Sequence, residues 1–78
     1  ELEEALKSIA NVLKAGGVMC VLSYHSGEDR AVKHAFRELH QSGSFVELFR
    51  KPRVPSDAEI QANPKSRSAK MRALRRVS

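Results

Sequence analysis

Ionisable or nucleophilic side chains crowd one short stretch of this chain: His25, Ser26, Glu28, Asp29 and Arg30. An imidazole or a carboxylate can move protons, a serine hydroxyl can attack or cap, and a guanidinium holds carboxylates and phosphates. A hydrolytic centre with Ser26 as nucleophile and His25 as base lacks its other parts. Neighbouring residues at a strand end point apart, no Gly-x-Ser-x-Gly elbow surrounds Ser26, and no separately placed acid orients His25. Cys20, His25, His34 and His40 do not follow a metal-ligand spacing, so no metal site is expected. For Glu28, Asp29 and Arg30 a plain helix-start charge cluster stays open as the alternative, because acids favour the positive end of a helix.

The elements that must position this stretch lie on either side of it. Val18, Met19, Cys20, Val21 and Leu22 form an apolar run of strand character that ends at Ser23. In open α/β sheets ligands bind beyond the carboxyl ends of strands, which is where His25 to Arg30 fall. A run without polar alternation requires cover on both faces, as in a parallel sheet between helix layers. Within it, Cys20 reads as a small buried thiol of a reduced, intracellular protein. Upstream, Leu2, Ala5, Leu6, Ile9, Val12 and Leu13 recur at helical spacing with Lys7, Ser8, Asn11 and Lys14 opposite them, and Gly16-Gly17 supplies the stop. That glycine pair ends a helix before a strand, so it is no nucleotide fingerprint. Downstream, Ser26 can cap a second helix, which carries Val32, Ala35, Phe36 and Leu39 on one face and leaves His34 and His40 as exposed or capping residues. After a break at 41–44, Phe45 to Phe49 reads as a strand. Ala5, Ile9, Leu13, Val21, Phe36 and Leu39 are expected to share a core.

From Lys51 onward Pro52, Pro55 and Pro64 interrupt any long element. Ser56 can cap one short helical turn over Asp57 to Ala62, and Val54 and Ile60 are spaced to pin the loop down. The last run, Ser68 to Val77, fits a strand by the alternation of Ala69, Met71 and Ala73 and a helix by Met71, Leu74 and Val77. Periodicity leaves both open.

A chain of 78 residues makes at most one domain, and such a chain buries only about 60% of its unfolded surface, which points to a piece of a larger protein. No apolar run is long enough to cross a membrane, and no signal-peptide pattern is present. Charge is unevenly placed: residues 51–78 hold eight Lys or Arg against two acids, a net of +6, whereas residues 1–50 net −1. A basic half suits phosphates, although a merely solvated surface has the same charge count. The stretch Ser66-Arg67-Ser68-Ala69-Lys70 combines small hydroxyls with fixed cations, as a phosphate-contacting loop would.

Longer motifs then add what single residues do not. Leu13-Lys14-Ala15-Gly16-Gly17, Leu22-Ser23-Tyr24-His25-Ser26-Gly27-Glu28-Asp29-Arg30-Ala31-Val32-Lys33, Lys51-Pro52, Pro55-Ser56 and Asn63-Pro64-Lys65-Ser66-Arg67-Ser68-Ala69-Lys70-Met71-Arg72 resemble, in this order, the C-terminal segment of the MraW/RsmH family. Ala15, Tyr24 and Gly27 depart from its usual Pro, Phe and Leu. The resemblance implies an S-adenosylmethionine-dependent methyltransferase acting on N4 of a cytidine in 16S ribosomal RNA, cytoplasmic in a bacterium or mitochondrial in a eukaryote.

It also implies an α/β fold, the C-terminal part of a class I (Rossmann-like) methyltransferase sheet: helix, strand, helix, then an antiparallel strand pair. Residues 1–50 would supply helix-strand-helix-strand, and residues 51–78 the basic loop and final strand, Ala69 to Leu74. By the same resemblance His25, Ser26, Glu28, Asp29 and Arg30 lie on the substrate side with roles unassigned, while Asn63, Ser66, Arg67, Ser68 and Lys70 contact RNA. The cofactor's glycine-rich loop has no counterpart in this sequence, so the chain alone is expected to be inactive. A non-enzymatic basic RNA-binding module is the competing reading.

Overall fold

The computed structural model describes residues 2–49 and 51–78. In chain order it contains α1 (Leu2–Asn11), β1 (Val18–Ser23), α2 (Ser26–Gln41), β2 (Phe45–Glu47), α3 (Asp57–Ala62), a 3₁₀ turn (Pro64–Ser68) and β3 (Lys70–Arg76). The α/β class and the element order are those expected, and the ambiguous last run is a strand. It does more than pair with β2. The sheet order is β1-β3-β2, with β3 antiparallel to both neighbours. Its central place explains the mixed signal of its sequence, since both of its edges are paired and Arg72, Ala73 and Leu74 are all buried.

The strands are bounded differently from the sequence reading. β2 stops at Glu47, although Leu48 N–H still donates to Ala73 O at 3.0 Å. The loop after it returns to the sheet through an isolated bridge between Arg53 and Met71, each donating to the other at 2.8 Å. That bridge, together with the Ser56–Glu59 capping box of α3, holds the loop in place. Val54 does not, being exposed, and α3 has no buried residue.

Leu6, Ala10, Met19, Val32, Ala35, Phe36, Leu39, Phe45 and Leu74 form the core, with Leu13 and Val21 packed against it. Two expected core members move out: Ala5 is exposed and Ile9 is 52% exposed. The apolar stripe of α1 is wider than the surface available to receive it. Leu6 and Ala10 turn toward the core, and Lys7 pairs with Glu38 on α2. Arg76 of β3 donates to the carbonyls of Asn11 and Leu13 at 2.9 and 2.7 Å, so the orphan carbonyls at the end of α1 are satisfied from the sheet. Gly16, at φ +86°, then lets the chain turn into β1.

Both helices cover the same sheet face. Along β1, Met19 and Ser23 are buried, whereas Val18, Cys20 and Leu22 are exposed. The expectation of cover on both faces is therefore met on one, and Cys20 is an exposed thiol rather than a buried one.

Candidate functional site

The register Ser23↔Lys70 places the end of β1 beside the start of β3. The loop after β1 and the segment before β3 thus meet at one end of the sheet, although they are far apart in sequence. Ser23 Oγ donates to Lys70 O at 3.4 Å across this junction.

His25 is the N-cap of α2, a role the sequence suggested for Ser26, which is instead its first residue. The Nδ1 of His25 accepts from Gly27 N–H at 3.0 Å, so this nitrogen carries no proton and the Nε2 bears it in the neutral ring. A Cβ at residue 27 would stand 3.1 Å from that nitrogen; glycine allows the imidazole to lie this close to the backbone. Ser26, Glu28 and Arg30 are exposed around this cap.

Asp29 behaves differently from its neighbours. It is buried, and Arg72 of β3 grips it bidentately along one guanidinium edge: Nε donates to Oδ1 at 2.8 Å and Nη2 to Oδ2 at 3.1 Å. The hydrogen bonds from Arg72 hold the Asp29 carboxyl below the usual carboxylate range, against the opposing pull of burial, with Lys70 and Lys33 adding to the shift. The carboxylate is engaged, which ties the first turn of α2 to the central strand. Sequence reasoning gives Arg72 no role of its own, because it is one of four basic residues in β3 and no local signal sets it apart from Lys70, Arg75 and Arg76.

The second group is looser. Asn63 Oδ1 accepts from Lys65 N–H at 3.2 Å and opens the 3₁₀ turn, on which Arg67 and Ser68 are exposed. Lys70 is half-buried at the strand start, and the side chain of Ser66 lies outside the described residues. His34 and His40 stand apart: His34 is exposed 3.9 Å from Glu3, and His40 Nδ1 accepts from Glu47 N–H. Among the described residues no group of three His, Cys, Asp or Glu side chains is placed to hold a metal ion.

The junction of β1 with α2 tests the fit of an adenosylmethionine cofactor. A nucleotide cradle offers free backbone N–H groups on a glycine-rich turn. Here the Gly27 N–H is taken by the His25 ring, so the residues present do not form such a cradle. What they form is a polar strand end flanked by a turn that carries Lys65 and Arg67.

The sequence model of the MraW methylase family matches residues 1–77. The chain is 48% identical over 76 residues to the "Ribosomal RNA small subunit methyltransferase H" of Leptospira interrogans, covering 97% of this chain and 23% of that protein. It is 49% identical over 77 residues to proteins of the same name from Anaplasma marginale (strain Florida) and Kosmotoga olearia, covering 26% and 25% of their lengths. The chain spans about a quarter of the curated relatives it matches.

Proposed function

Because the chain belongs to the MraW methylase family, we propose that it is the substrate-side part of an S-adenosylmethionine-dependent methyltransferase that modifies N4 of a cytidine in small-subunit ribosomal RNA. The observation that supports this most is that the end of β1, which leads into His25 to Arg30, lies beside the start of β3 at Lys70, with Tyr24 sharing a cavity with Asn63, Lys65 and Ser68. Transfer of a methyl group from a sulfonium to an amine is an in-line displacement, in which placement of the reactants supplies much of the acceleration. Asp29 and Arg72 brace the floor, His25 fixes the first turn of α2, and Lys65, Arg67 and Lys70 face the phosphates. Phosphate contacts set register and orientation and carry no sequence information. The rest of the reaction falls to parts of a complete enzyme that lie outside this chain, and the chain alone neither binds the cofactor nor methylates RNA.

A chimera tests the reading. Residues 1–77 would replace the matching quarter of the Leptospira relative, and methyl transfer from labelled S-adenosylmethionine to small-subunit RNA would be followed, with mass spectrometry of nucleosides. N4-methylcytidine is the expected product. A folded chimera that binds RNA but transfers no methyl group refutes the enzymatic reading in favour of a basic RNA-binding module. Calorimetric titration showing micromolar affinity of the isolated chain for the cofactor would overturn the division of labour.

A further inference from the structure

Tyr24 directly follows β1 and points the way Leu22 does, to the side of the sheet that α1 and α2 leave uncovered; its ring is 54% exposed. Two cavities meet at it. One, of about 340 Å³, is walled by Leu22, Val54, Pro55 and Met71, with the opposite charges of Arg53 and Glu59 also lining it. The other, of about 440 Å³, is lined by Tyr24, Asn63, Lys65 and Ser68. Both volumes fall in the range of small-ligand pockets. An aromatic face is thus set between a largely aliphatic recess that also carries Arg53 and Glu59 and a recess bearing an amide, an ammonium and a hydroxyl.

We propose that Tyr24 is the stacking platform for one unpaired nucleobase of RNA, with Lys65 taking the adjoining phosphate. Three features point to this occupant. Unpaired bases are recognised by stacking on aromatic rings while cations track the backbone. Apart from Leu22 and Tyr24 itself, both cavities are lined by residues of 51–78, the part of the sequence whose net charge is +6, which favours a polyanion over an apolar protein segment. Asn63 and Ser68 supply short polar groups at the edge of the same cavity, where a base stacked on the ring would present its own polar edge. The inference deepens the RNA-substrate reading and rests on it.

The sequence contains one tyrosine and no tryptophan, so tyrosine emission reports on residue 24 alone. The whole chain would be titrated with a short oligocytidylate and, separately, with inorganic polyphosphate, which has the charge but no bases. Binding would be measured independently by anisotropy of labelled oligocytidylate. Oligocytidylate should quench Tyr24 emission saturably and polyphosphate should not. Tyr24→Ala should weaken oligocytidylate binding about tenfold, the size of one lost base stack, and leave polyphosphate binding unchanged. Tyr24→Phe keeps the ring and should retain affinity. Because the side chain is exposed, all three proteins should have the same circular dichroism spectrum. Oligocytidylate binding without quenching, and without loss in Tyr24→Ala, overturns the stacking role while leaving an RNA-binding surface intact. Equal quenching by polyphosphate overturns it too, and absence of binding by both polymers overturns the stacking role together with the RNA interface.

Discussion

Replacing Arg72 by Met keeps the bulk of the side chain in the sheet and removes both donors to Asp29. The two side chains are each 10% exposed and joined by bonds of 2.8 and 3.1 Å, so water cannot readily replace what the guanidinium supplies. Removing one partner of a buried pair costs about 3–5 kcal/mol, and because this pair lies near the rim of the core we expect the lower end, about 3 kcal/mol. A small single core supplies about 3–5 kcal/mol in total, so Arg72→Met should lie close to unfolding at room temperature. Asp29→Leu combined with Arg72→Met removes the charge left stranded and should cost about 1 kcal/mol or less. The pair also has a pH signature. Asp29 has a lower pKa in the folded chain than in the unfolded one, where it lies near ~3.9. The unfolded state therefore binds the proton first, and the pair contributes fully above about pH 4 and loses its contribution as pH falls through the folded value. Urea unfolding followed by helical circular dichroism, repeated from neutral to acid pH, measures both effects. The reasoning fails if Arg72→Met costs under about 1 kcal/mol, as an exposed pair would, or if native and Asp29→Asn proteins lose stability in parallel on acidification.

His25→Ala removes the acceptor for Gly27 N–H and should cost about 1 kcal/mol at the start of α2, seen as roughly fivefold faster amide exchange at Gly27; unchanged exchange there would remove His25 from the capping role. Arg67→Ala with Lys70→Ala should lower the slope of log affinity against log salt for single-stranded RNA by about 1.4, uniformly across sequences; a sequence-dependent loss would mean base contacts instead. Cys20 should react with a water-soluble disulfide reagent in the folded chain at close to its rate in urea, since it lies on the uncovered sheet face. Protection of Cys20 in the native chain would show that face to be occupied.

Local signals decided much of this molecule before any tertiary contact. The helical spacing of Val32, Ala35, Phe36 and Leu39 and the apolar run ending at Ser23 sufficed for α2 and β1, because each records a period that one element imposes on its own residues. Ser56 as a cap likewise marked α3 over Asp57 to Ala62, and the capping box that it forms there with Glu59 is complete within four positions. The order of the longer motifs carried the family. Other features depend on partners distant in sequence. Whether 70–76 is strand or helix follows from pairing with β1 and β2, and the use of Arg72 follows from a carboxylate 43 positions away. Which part of the α1 stripe is buried depends on how α2 and the sheet are placed, so Leu6 and Ala10 go in and Ile9 stays out. The same holds for Cys20 and Tyr24: an apolar strand pattern says that a face wants cover, and only the tertiary arrangement of the helices determines which face receives it.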